Sequence, residues 1–141
     1  MTTTLAAVFD RYDLEALADL DLAASIPLVD FARQGDVLVV PERLDRRATA
    51  RMTPDTAVPP EGIAVVRGEF GGHTHLLVAE GRVLYDARDP RTGSVVAAFE
   101  VADGATAYLL HPEHGGIGFV PGSYTVRRQR EWDTTIRFVA D

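Results

Sequence analysis

The chain has 141 residues, no cysteine, and a formal net charge of −7 from 21 acidic and 14 basic residues. That length suits one domain with its own core, and the missing cysteine excludes disulfides, thiolate metal sites and cysteine nucleophiles. The acidic balance repels nucleic-acid phosphates, so a general DNA or RNA binder is not expected.

The N-terminus lacks the basic and long apolar regions of a secretory signal. No apolar run approaches the roughly 18 residues of a membrane span, so no membrane partner is expected. These features, with the absence of cysteine, point to a cytoplasmic protein. All basic residues are arginine, clustered at Arg43, Arg46, Arg47 and Arg51 and again at Arg127, Arg128 and Arg130.

Thr2 to Thr4 can cap a helix. Leu5, Val8, Phe9 and Tyr12 follow at helical spacing. Asp13 is a second capping candidate, with Leu14, Leu17 and Ala18 behind it, and Pro27 ends the helical signal. Residues 1–33 therefore read as an N-terminal helical element, serving as a lid on its own domain or as an arm that meets a partner. Residues 34–141 read as the β-rich body. Gln34-Gly35-Asp36 is a turn, and Val37 to Val40 a strand ended by Pro41. Pro41 to Pro60 holds the first arginine cluster and lacks periodicity, which predicts a long surface loop.

From Ile63 onward the pattern is β. Strands are predicted at Ile63 to Arg67, His73 to Ala79, Arg82 to Asp86, Ser94 to Val101, Ala105 to Leu110 and Ile117 to Val120. Glycine-rich Gly68 to Gly72 should bend the chain. Glu80-Gly81, Asp103-Gly104 and Pro121-Gly122 supply turns. In the next strand Tyr124, Val126, Arg128, Arg130 and Trp132 share one side. A last strand alternates through Ile136, Phe138 and Ala140. About nine short strands with turns every 8 to 12 residues make an all-β, mainly antiparallel barrel or sandwich.

All four histidines fall in two pairs, His73-Thr74-His75 and His111-Pro112-Glu113-His114. On a strand, residues i and i+2 share a face, so two imidazoles about 6 to 7 Å apart can share one ion. Imidazole with carboxylate suits a divalent transition metal such as Zn, Fe, Mn or Ni. Glu69, Glu80 and Glu113 are the nearby carboxylates, and Glu69 or Glu113 could act as general base. The same histidines would also suit a satisfied polar cluster without metal. Tyr124, Arg128 and Arg130 on one strand face form a separate candidate for an anionic ligand, because guanidinium forks bind carboxylate or phosphate. No phosphate loop and no Gly-x-Ser-x-Gly elbow is present.

Gly68, four residues, His73-Thr74-His75, four residues and Glu80 resemble the first motif of the cupins. The leading glycine is one residue short, and the trailing glycine is missing from its usual place. Gly115, five residues and Pro121-Gly122 resemble the start of the second cupin motif, but no histidine follows. The resemblance implies an antiparallel barrel with His73, His75 and Glu80 as metal ligands. His111 or His114 would then have to supply the fourth. The run from Gly122 through Tyr124 to Arg128-Gln129-Arg130-Glu131-Trp132 also resembles a signature of small bacterial β-rich proteins of unassigned activity.

Two functions follow as expectations. One is a metal-binding barrel, or metal-dependent enzyme, acting on a small molecule. The other is a non-enzymatic subunit of a bacterial assembly, docking a protein partner through its N-terminal helix and the 41–60 loop. A homo-oligomer is compatible with either.

Overall fold

The computed structural model describes residues 3–17, 19–44, 52–66, 74–87 and 95–128. The first regular element is a helix, α1 (Leu5–Arg11). The strands are β1 (Leu28–Val29), β2 (Ala32–Gln34), β3 (Val37–Pro41), β4 (Thr56–Ala57), β5 (Ile63–Val66), β6 (His75–Glu80), β7 (Val83–Ala87), β8 (Val95–Val101), β9 (Thr106–His111), β10 (Gly115–Phe119) and β11 (Gly122–Arg128). One sheet runs β1-β10-β9-β6-β5, the other β2-β3-β11-β8-β7-β4. All pairings are antiparallel except β1 with β10. The described strands form two separate sheets, so the fold is a β-sandwich rather than a closed barrel.

Strand alternation builds two cores. On β6, Leu77 faces the inter-sheet core, while Val78 faces the helix on the outer surface. The inter-sheet core centres on Phe99, Phe119 and Tyr124, whose ring centroids lie 5.0 to 5.5 Å apart. Each such ring contributes roughly 2–3 kcal/mol by leaving water. The Tyr124 hydroxyl satisfies itself by donating to the Val120 carbonyl at 2.6 Å. Burial, and then Asp30, raise the Tyr124 pKa above the usual phenol value, which favours its role as a donor.

α1 lays Leu5, Val8 and Phe9 on Val78, Tyr108 and Leu110 of the first sheet, with Ile26 closing the cluster. Thr4 caps its start by accepting from the Ala7 N–H at 3.2 Å. Its end differs from the expected second helical start. Asp13 takes a left-handed φ of 54°. The Leu14 N–H then reaches the Phe9 carbonyl at 2.8 Å and the Asp13 N–H reaches that of Asp10 at 3.3 Å. That pattern is a helix stop, with Asp13 standing where glycine is usual. Beyond this stop the Leu17 N–H bonds the Pro112 carbonyl at 2.9 Å. The helix is thus packed on the chain's own first sheet.

Two further stretches differ from expectation. β structure begins at Leu28, within the stretch read as helical, and β1 and β2 send consecutive segments to opposite sheets. Gly118 admits β1, since a Cβ there would lie 2.5 Å from Leu28 Cδ2. The 41–60 stretch is not wholly loop. A 3-10 turn spans Glu42–Leu44, and β4 pairs with β7. The expected strand at Ile136 to Ala140 lies outside the described residues. No helix among the described residues is long and apolar enough to cross a membrane.

Candidate functional site

Register brings the two histidine pairs together. β6 pairs Leu76 with Leu110, and β10 pairs Gly115 with His111. One residue beyond the Leu76 pair, His75 faces His111, with ring centroids 4.4 Å apart. His114 comes back over the turn, 4.5 Å from His111 and 6.4 Å from His75. His75 and His111 are buried, whereas His114 is exposed.

The second sheet supplies their partners. β2 and β3 are joined by a two-residue turn, Gly35-Asp36, with Gly35 at φ 61° as a tight hairpin requires. Buried Gln34 stands at its start. Its Nε2 donates to the carbonyls of Leu109 at 3.0 Å and Gly115 at 3.4 Å. Those two acceptors fix which end of the amide is nitrogen. Gln34 Oε1 therefore faces His75 Nδ1 at 2.8 Å, and that ring nitrogen must carry the hydrogen. His111 has the opposite arrangement. Its Nδ1 accepts from the backbone N–H groups of Glu113 at 3.1 Å and His114 at 3.2 Å, so its proton resides on Nε2.

On the far side of His75, Nε2 lies 3.7 Å from Asp36 Oδ1, and Arg128 Nε donates to Asp36 Oδ2 at 2.9 Å. His75 and Arg128 together hold the Asp36 carboxyl well below the usual carboxylate range. The Arg128 contact is the shorter and is a charge-assisted hydrogen bond. The arrangement is a polar tie between two sheets, closed over by Arg128.

A metal would meet a restricted donor set here. A lone pair that accepts two amide hydrogens cannot also ligate, and a protonated Nε2 offers none, so His111 fits poorly as a ligand. On His75, Nδ1 is held by Gln34 and Nε2 already faces Asp36, so an ion there would have to displace that contact. Among the described residues, no group of three histidine or acidic side chains is placed to share an ion.

The other predicted residues go elsewhere. Glu80 leaves β6 on the opposite face from His75, roughly 16 Å along the strand. There it meets Arg11 Nη1 at 2.7 Å and the Tyr108 hydroxyl at 3.5 Å. The cupin-type grouping of His75 with Glu80 is therefore not formed, because strand alternation separates an odd position from an even one. Glu113 is exposed in the turn, where its backbone N–H donates to His111 Nδ1. Glu69, His73 and Arg130 lie outside the described residues. Tyr124 belongs to the aromatic core and Arg128 to the histidine end, roughly 13 Å apart, so they do not share one ligand. Gln34 and Asp36 were missed. The sequence marks them only as a turn, and nothing local shows that the turn crosses to the other sheet.

The sandwich has a second feature at the opposite end of β3 and β11. A cleft of about 670 Å³ is lined by Asp30, Pro41, Arg43, Pro121 and Tyr124. Arg43 and Asp30 approach to 3.8 Å at its rim. Leu28, Phe31 and Leu44, each within two residues of Asp30 or Arg43 in the chain, are 57%, 53% and 56% exposed.

No curated protein and no solved structure matches the chain. The cupin resemblance gains no support from these comparisons, nor from the geometry. A family model matches residues 33–129, from β2 through β11, which is more than half of the chain. The chain therefore belongs to the family described as a domain of unknown function, DUF8820.

Proposed function

We propose that the domain is a non-enzymatic docking module for a protein partner, working in a reducing compartment that its cysteine-free sequence suits. The observations that carry this reading are the cleft with Asp30 and Arg43 in its lining and the exposure of Leu28, Phe31 and Leu44, which lie within two residues of those two in the chain. Leu28, Phe31 and Leu44 are each more than half in water, and apolar side chains exposed near a charged cleft are what a protein interface would cover. The histidines support the same reading in another way. His75 Nδ1 is held by Gln34, His75 Nε2 faces Asp36 and His111 Nδ1 accepts from backbone amides, an assignment that serves structure.

The test is site-specific photocrosslinking in cells that express the chain. A photoreactive residue is placed at Leu28, Phe31 or Leu44, and at exposed Glu100 as control. The same adduct at the three apolar positions and none at Glu100 is the expected outcome. The purified adduct partner should then bind a Phe31→Glu/Leu44→Glu variant at least tenfold more weakly. Equal adducts at all four positions, or none at the trio, would remove the basis for the proposal.

A further inference from the structure

The sandwich is sewn along one side, where β1 and β2 pass the chain from sheet to sheet. Its other side is bordered by β5 at the edge of one sheet and β4 with β7 at the edge of the other. A cavity of about 460 Å³ sits there. Ile63, Val65, Val66 and Val96 contribute its apolar wall, and all four belong to or pack on the inter-sheet core. The cavity is thus an extension of the core to an edge. β5 helps to make it. The β5–β6 register slips between Ala64 and Val66, which breaks the close ladder at Val65.

The size lies within the roughly 300–1,000 Å³ of small-molecule sites, and such sites pair apolar walls with a few polar groups. Tyr85, Asp86 and Arg128 lie among its polar lining residues, with Thr56. The two charges are already engaged. Arg128 donates to Asp36 at 2.9 Å, and Asp86 Oδ2 accepts the Thr53 N–H at 3.0 Å. A charged ligand would have to shed its water while competing with these pairs, and that desolvation is costly. A neutral head group can hydrogen-bond at Tyr85 without disturbing either.

We infer that this edge cavity is a binding site for a small neutral molecule with an aliphatic or aromatic body and one hydrogen-bonding head. The site is separate from the docking face, because the two share no lining residue. Either assignment can fail without the other.

The test uses the full chain, labelled with nitrogen-15, titrated with hexanol, hexanoate and hexylamine. Hexanol should shift amide signals of β5, β7 and β8 and bind at least tenfold more tightly than either charged analogue. Ala64→Phe, which adds a ring at a lining position, should abolish the shifts. Val96→Leu adds a smaller bulk and should weaken hexanol severalfold, which keeps the test decisive if the phenylalanine variant does not fold. No shift with any probe would overturn the inference. So would a charged analogue binding as well as hexanol, or unchanged binding in both variants.

Discussion

Replacing Gln34 with leucine should cost about 3 kcal/mol of folding free energy. The side chain is buried and makes three contacts that join the sheets. Leucine leaves the His75 Nδ1–H without its acceptor, and a buried unpaired donor costs about 1–3 kcal/mol. The bonds to Leu109 and Gly115 are lost as well, at about 0.5–1.5 kcal/mol each, the longer one at the low end. Added apolar burial returns part of the total. Against the roughly 5–15 kcal/mol that holds a domain together, this is a large fraction. It corresponds to a fall in Tm on the order of 10 °C for a chain of this length. Urea and thermal unfolding followed by far-ultraviolet circular dichroism measure it. A double-mutant cycle with His75→Leu isolates the cause. Once the imidazole is gone, Gln34→Leu should cost at least about 1 kcal/mol less, because the donor it orphaned no longer exists. A single-variant loss below about 1 kcal/mol, or costs that simply add, would refute the claim that Gln34 and His75 act as one unit.

Three other outcomes are expected. Asp13→Gly should raise stability by about 0.5–1 kcal/mol, since the left-handed helix stop at φ 54° strains any residue with a Cβ; chemical denaturation reads the gain. Phe99→Ala should cost about 3–5 kcal/mol, because the ring is 1% exposed and touches both other core aromatics, so no neighbour can collapse into its space without breaking a second pair. Asp36 predicts a pH dependence with a definite sign. Its folded pKa is depressed, so its contribution is complete above the unfolded carboxylate value of about 3.9 and is lost as pH falls below it. Asp36→Asn should therefore lose on the order of 0.5–1 kcal/mol at neutral pH after solvent screening, and the gap to the parent should narrow steadily in acid unfolding curves as pH falls below the unfolded carboxylate value.

The extent to which the sequence foretold this structure follows from which information is local. Val37 to Val40, Arg82 to Asp86 and Asp103-Gly104 carry an unbroken apolar run or turn chemistry within a few residues, and their elements emerge within a residue or two of expectation. Leu28–Val29 and Thr56–Ala57 are strands only because β10 and β7 offer them partners. Two residues hold no period to detect. The convergence of His75 on His111 depends on the β6–β9 register, between strands with two others intervening in the chain, and hairpin rules do not reach that far. Asp13 misled for a chemical reason. The features that make aspartate a good helix start, a short side chain and tolerance of unusual φ, also let it serve as a stop.

The docking of α1 sets an order on biosynthesis. Leu5, Val8 and Phe9 leave the ribosome early, but Tyr108 and Leu110, on which they rest, follow roughly a hundred residues later. At about 5–20 residues per second the apolar stripe waits on the order of 5–20 seconds for its seat. The helix is thus made well before its seat, and it closes a sheet whose strands must already have paired. Until then the nascent chain displays a short amphipathic stripe, an exposure that the docked helix no longer reveals.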